Sequence, residues 1–374
     1  MKKKMAGLAL LLPLLLLTGC SQNARKTLKD VYSSYFPIGC AIGSDSVLNG
    51  TYDDVIHQFS SLTCENEMKW ESVEPSEGTY TFDNADAVVK YAKKNNMKVR
   101  GHALVWHNAI PSSTFYESDG KTLIAKEALL AKEKSHIENV IDHFGSDVYC
   151  YDVVNEVVDD SAAELLADGS NIYRQSPWYE ICGRDYILNA FVYAKAELDK
   201  KGLSAKLFYN DYSLNVPAKR NKALAMLKWL KDNGAPIDGV GMQSHYHLGS
   251  FSMSQFDDSI TAFSALGLEV QITEFDIDVY DENNAAFQNA ANWYLNGLPS
   301  SIEAIQTTIY DRAFQIIRKH RKDITGVTFW GVADDQTWMD KDPYIGRKNY
   351  PLVFDLYHQP KTSFDKITNF QEGK

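Results

Sequence analysis

The chain has 374 residues, 44% of them hydrophobic and 23% charged, a composition that excludes disordered and fibrous classes and supports a sizeable core. A formal net charge of −11 argues against nucleic acid or a polyanionic substrate and is compatible with a neutral polymer. Aromatic residues make up 12%, with 21 Tyr and 7 Trp, a supply of flat, half-polar surface that serves core filling and sugar rings alike.

At the amino terminus, Lys2, Lys3 and Lys4 precede an apolar run from Ala6 to Leu17, which is short for a membrane span. The run ends Leu17-Thr18-Gly19-Cys20, which resembles a bacterial lipobox. That resemblance implies lipidation of Cys20, a signal peptide over residues 1–19, and a protein exported and anchored to a bacterial membrane, outer membrane or cell surface. An ordinary secretory signal is the alternative. Residues 20–30 then form a polar tether and residues 31–374 the folded domain. Residues 1–19 carry three Lys and no acid, so their removal takes the net charge to −14. Of five Cys, Cys40, Cys64 and Cys150 fall in predicted strands and Cys182 in a loop. Their spacing marks no metal site, and buried free thiols are expected.

Strands and helices then alternate. Ile38–Ala41 is the first predicted strand, followed by a helix over Asp53–Phe59. Leu62–Cys64 is the second strand, with a helix over Asn84–Asn95. The third strand opens at Lys98–Gly101 and leads to His102 and Trp106; a helix follows over Ala125–Phe144. Tyr149–Asn155 is an apolar, β-branched run that reads as a strand buried on both faces. A long loop spans Val157–Gly183, and a helix covers Asp185–Lys201. Lys206–Tyr209 is the fifth strand, followed by a helix near Lys219–Lys231. Gly239–Met242 and Val270–Thr273 are the sixth and seventh strands. After a polar insertion over Asp281–Ser301 and a helix over Ile305–Lys319, Gly326–Phe329 is the eighth. About eight such repeats without a linker predict a single (β/α)₈ barrel of the α/β class.

Polar and aromatic residues collect at the carboxyl ends of these strands, the face that carries active sites in such barrels. Two of the strand ends deliver carboxylates. One runs Asp152-Val153-Val154-Asn155-Glu156, the other Val270-Gln271-Ile272-Thr273-Glu274. Two strand-end carboxylates are the minimum equipment of a glycosidase, one to protonate the leaving oxygen and one to attack or to activate water. A single strand-end Glu is as readily the start of a solvated loop, and it is the pair that carries the inference.

The motifs resemble those of glycoside hydrolase family 10 endo-β-1,4-xylanases. They are Glu65-Asn66 with Met68-Lys69-Trp70, Arg100-Gly101-His102 with Leu104-Val105-Trp106-His107, Asp152–Glu156, Gly241 with Gln243 and His245, Thr273–Asp276, Thr328–Gly331 with Asp334 and Trp338, and Pro351-Leu352 with Phe354-Asp355. They run in family order over nearly the whole mature chain. The departures are Phe275 in place of the usual Leu and long loops after Glu156 and Asp276.

The resemblance implies endo-acting, retaining hydrolysis of β-1,4-xylosidic bonds in xylan or xylo-oligosaccharides. Glu274 is the implied nucleophile and Glu156 the implied acid/base. Asn155 is implied to bond the sugar 2-hydroxyl, and His245, held by Asp276, to orient Glu274. Glu65, Asn66, Lys69, His102, Trp106 and Gln243 are implied to grip the glycone sugars, with Trp330 and Trp338 as walls. His107 and Asp334 are expected in supporting roles, and Tyr212 and Tyr246 are open between the leaving-group side and elsewhere. No metal and no cofactor are expected. Two other readings deserve weight. His245-Tyr246-His247 with His102 and His107 suggests a metal-dependent barrel hydrolase, but no carboxylate cluster beyond Asp276 completes a site. A glycan-binding protein on an inactive enzyme fold would be expected to lose a carboxylate, and both are present.

Overall fold

In the computed structural model, which describes residues 26–281 and 283–371, every strand is parallel to its neighbours. The strands are β1 (Ile38–Ile42), β2 (Ser61–Cys64), β3 (Lys98–Val105), β4 (Val148–Asn155), β5 (Lys206–Asp211), β6 (Gly239–Met242), β7 (His245–His247), β8 (Glu269–Asp278) and β9 (Ile324–Phe329). Their order is β6-β5-β4-β3-β2-β1-β9-β8, and β6 pairs with β8 to close the cylinder. Eight strands therefore form the barrel. The ninth, β7, lies outside it and pairs only with the far half of β8, His245 opposite Asp276 and His247 opposite Asp278. The predicted (β/α)₈ barrel is the observed fold.

The strands are apolar runs because both faces are covered, one by the barrel interior and one by helices. The interior is not purely apolar. Arg100 is almost fully buried, with Nε donating to Asp152 Oδ2 at 3.2 Å, Nη2 paired with Asp152 Oδ1 and Nη1 donating to Gln271 Oε1 at 2.6 Å. A buried charge needs such a full set of partners. This one also sets up the site, because the same Asp152 bonds His102 Nδ1 at 2.9 Å. Cys40, Cys64, Cys150 and Cys182 are free and buried, as the sequence suggests.

Three expectations need correction. The helix over Asp53–Phe59 is only a 3₁₀ turn at Ile56–Gln58; the true helix in this connection is Ser44–Asn49, which ends at Gly50 with φ 65°. Helices at Met253–Ala265 and, inside the long loop, Pro177–Cys182 escaped sequence reading, although Ser252 and Ser176 cap them with side-chain acceptors. The folded domain also begins before residue 31. Thr27 caps a helix at Leu28–Tyr32, and Leu28 and Tyr32 are fully buried, with Tyr32 Oη donating to Ile367 O at 2.5 Å. The expected signal peptide and Cys20 lie outside the described residues. Among the described residues, no helix is long and apolar enough to cross a membrane.

Candidate active site

A cleft of about 630 Å³ opens at the carboxyl ends of the strands. It is lined by Glu65, Asn66, Lys69, His102, Trp106, Glu156, Gln243, His245, Glu274, Trp330 and Trp338, all of them expected from the sequence, together with Asn108, Tyr212, Ser213, His247 and Asp342, of which the sequence singles out only Tyr212 and His247.

Glu274 sits within β8 and is buried. Its Oε1 accepts from Asn210 Nδ2 at 2.8 Å, and its Oε2 faces His245 Nε2 at 3.1 Å. The other ring nitrogen, His245 Nδ1, faces Asp276 Oδ1 at 2.8 Å, and Asp276 Oδ2 accepts from Trp338 Nε1 at 2.9 Å. Strand alternation explains the spacing: Glu274 and Asp276 point to one side and Phe275 to the other. Phe275 is fully buried against Tyr310, Phe314 and Phe329, so its departure from the family Leu belongs to the core and not to the cleft.

Electrostatics separates the members of this chain. Burial pulls the His245 pKa down, but Asp276 and Glu274 outweigh it and raise it to about 10. With a carboxylate on each nitrogen, the ring is an imidazolium donating from both. For Glu274, burial pushes upward, yet the His245 hydrogen bond and the nearby His102 and His245 hold the carboxyl below its ordinary range. Burial raises Asp276 despite His245.

Glu156 follows β4 with φ 57°, a left-handed conformation uncommon for a residue with a side chain. Its Oε2 accepts from Trp106 Nε1 and its Oε1 from Gln243 Nε2, both at 2.9 Å. Its backbone N–H donates to Asn210 O at 2.9 Å, and its carbonyl accepts from Arg174 Nε at 3.0 Å. Lys69 donates to Asn66 Oδ1 at 2.7 Å and lies 5.1 Å from the Trp106 ring. Burial lowers its pKa, against the pull of Glu274, Glu65 and Glu156. Burial also raises Glu65. His102 meets Trp330 edge-on at 5.3 Å.

Asn210, at the end of β5, is the residue that sequence reading missed. Its Nδ2 donates both to Glu274 Oε1 and to Asn155 Oδ1, and its Oδ1 accepts from Thr273 Oγ1 at 2.6 Å. A Cβ on Gly241 would collide with that Oδ1, which explains the glycine there. The signal was present, since Asn210-Asp211-Tyr212 is a polar strand end like Asn155-Glu156. Asn155 is buried, and its Nδ2 has no hydrogen-bond partner among the described residues. Tyr212 lines the cleft, whereas Tyr246 is core, packed against Phe251 and Phe256. Burial and Arg174 lower His107 to about 4. Asp334 is buried behind the cleft, where its carboxylate accepts from Lys361 Nζ at 2.9 Å and from Leu352 N–H at 2.8 Å. Among the described residues, no group of three or more His, Cys, Asp or Glu side chains is placed to hold a metal ion.

Two carboxylates held differently at the strand ends of one closed barrel, beside indole walls and amide donors, define a barrel glycoside hydrolase. Residues 27–370 match the model of Glycosyl hydrolase family 10. The chain is 44% identical to a "Beta-1,4-xylanase" of Dictyoglomus thermophilum, covering 92% of this chain and 91% of that one. It is 38% identical to an "Endo-1,4-beta-xylanase" of Geobacillus stearothermophilus, over 92% and 98%. Among solved structures, the xylanase XynB of Paenibacillus barcinonensis superposes with a TM-score of 0.84 at 35% identity, covering 92% of this chain and 99% of that one. The chain belongs to glycosyl hydrolase family 10.

Proposed function

We propose that this enzyme, an endo-1,4-β-xylanase that hydrolyses xylan, works by a retaining double displacement with Glu274 as nucleophile and Glu156 as acid/base. The observation that carries the assignment is the contrast between the two carboxyls: Glu274 bonds a cationic ring and is held ionised, while Glu156 is bonded by two neutral donors. In the first step Glu274 attacks the anomeric carbon, and Glu156 gives its proton to the departing oxygen. In the second Glu156 takes a proton from water, which attacks the same carbon and releases Glu274. The unpartnered Asn155 amide is the donor for the sugar 2-hydroxyl, and Asn210 fixes both it and Glu274. His245 orients Glu274. Glu65, Asn66, Lys69, His102, Trp106 and Gln243 bind the glycone sugars against Trp330 and Trp338. Proton NMR of the first products from xylohexaose tests this reading: β-anomers are expected, and initial α-anomers overturn it.

We infer a second assignment from the amino-terminal sequence alone: residues 1–19 are a lipoprotein signal, and lipid on Cys20 anchors the enzyme to a bacterial membrane, outer membrane or cell surface. Cys20→Ala is expected to move the enzyme to the soluble fraction, and a variant that stays with the membrane refutes the anchor.

A further inference from the structure

The polar insertion over 281–301 carries an exposed apolar face. Trp293 is 57% exposed and Leu295 69%. Ile345, on the loop after β9, is 86% exposed. The two loops are joined, since Asn292 Nδ2 donates to Gly346 O at 3.0 Å. They are also fixed from beneath. Arg347 is buried, lies 4.2 Å from the Tyr280 ring and 4.6 Å from the Tyr344 ring, and donates to Phe287 O at 2.7 Å and Asn289 O at 3.3 Å. Tyr280, Tyr294 and Tyr350 form a small core of their own under the insertion. A large indole held in the open by a built foundation is unlike an incidental surface apolar residue, and such patches mark interaction sites.

The position of the loop says what would cover it. The segment that reaches Ile345 starts at Trp338, a wall of the cleft, and passes through Asp342, which also lines it. The apolar face thus stands on a loop that borders the cleft, for Ile345 follows closely on Asp342, and Asn292, next to Trp293, is bonded to Gly346. A polymer that leaves the cleft along this loop is the occupant within reach of Trp293. The net charge of −11 disfavours an anionic surface as the occupant, whereas a neutral sugar ring presents the axial C–H face that stacks on indole.

We propose that Trp293 and Ile345 form a distal sugar platform that takes a further xylose unit of the chain already bound in the cleft. The proposal rests on the endo-xylanase reading above and extends it outward. Because the platform touches only long substrates, its signature is a dependence on chain length. Trp293→Ala and Ile345→Ser should lower kcat/KM on xylohexaose about two- to tenfold, through KM, the size of effect expected for one lost aromatic contact. Both should leave kcat/KM on an aryl xylobioside, which is too short to reach the platform, at the wild-type value. Trp293→Phe, which keeps a ring, should recover most of the loss. Equal losses on both substrates would make Trp293 a structural residue and overturn the proposal. So would an unchanged xylohexaose KM, or a dimer in the wild type that disappears in Trp293→Ala while xylohexaose turnover is kept. Failure of the parent reading looks different, for then wild-type enzyme cuts neither substrate.

Discussion

The two carboxyls of the cleft are held in opposite ways. Glu274 stands inside a ten-residue strand, buried, at the head of a chain that runs through His245 and Asp276 to Trp338. Its backbone stays extended within the strand, and its side chain bonds a cation and an amide. Glu156 stands one residue beyond its strand, half-buried, with its backbone turned into the left-handed region and its side chain bonded by an indole and an amide. That backbone turn costs about 1 kcal/mol, and it persists because Asn210 and Arg174 grip the peptide on either side. On the proposed roles, the nucleophile must be ionised and immobile, and Glu274 is embedded in the sheet beside a positive charge. The proposed acid/base must exchange protons with a leaving group and then with water, and Glu156 stands on the turn that faces the cleft, among donors that carry no charge. In this proposal environment, and not residue type, divides the labour between two identical side chains.

The strongest way to break this contrast is to neutralise each carboxyl. Glu274→Gln should lose about 10⁴-fold or more of kcat on every substrate, since no leaving group relieves the need for a nucleophile. Glu156→Gln should lose about 10²- to 10⁴-fold on xylan but retain activity on aryl xylosides with good leaving groups, and azide should partly rescue it as a β-glycosyl azide. The reverse pattern in stopped assays and product analysis would exchange the roles. Next in size, His245→Asn removes the cation from Glu274 and should cost about 10²-fold in kcat/KM. Burial then acts on Glu274 without its main counterweight, so its pKa rises. Because activity needs the ionised form, the acid limb of the kcat/KM profile should move to higher pH; a limb that stays in place would show that His245 does not hold the charge. Asn210→Ala breaks the side-chain bonds to Glu274 and to Asn155 at once while keeping the backbone bond to Glu156, and a tenfold or larger fall in kcat is expected, about the cost of one hydrogen bond to a charged group. The smallest effect concerns selectivity. Trp338→Ala should lower the ratio of kcat/KM for aryl xylobioside over aryl cellobioside by about fivefold, as a bending steric wall discriminates only modestly. Trp338→Phe, which keeps the bulk but loses the bond to Asp276, should leave that ratio in place while lowering both values.

Most of the barrel and the cleft was legible in the sequence for a simple reason. Apolar runs ending in polar residues repeat at a spacing set by strand–helix units, and parallel order then brings all the endings to one rim. What was lost depends on tertiary context. The helix expected at Asp53–Phe59 has apolar residues at plausible spacing, but the chain satisfies them through a 3₁₀ turn against the barrel. The helix at Met253–Ala265 is an exception, since it has both a Ser252 cap and a stripe of Phe256, Ile260 and Phe263 at helical spacing, and these signals were legible in the sequence. Asn210 looked like one more polar strand end, and nothing in one sequence says that its amide spans two others. Phe275 shows the converse. It sits beside Glu274 in sequence, and strand alternation sends it to the far side of the sheet.

The division of labour between Glu156 and Glu274 is tested most directly by trapping the intermediate. A 2-deoxy-2-fluoro-xylobioside with a good leaving group slows the second step, so the sugar remains on the nucleophile. Mass spectrometry of the digested protein should find it on the peptide that contains Glu274, with Glu156 unmodified. Label on Glu156, or full inactivation without a covalent sugar, would contradict the account.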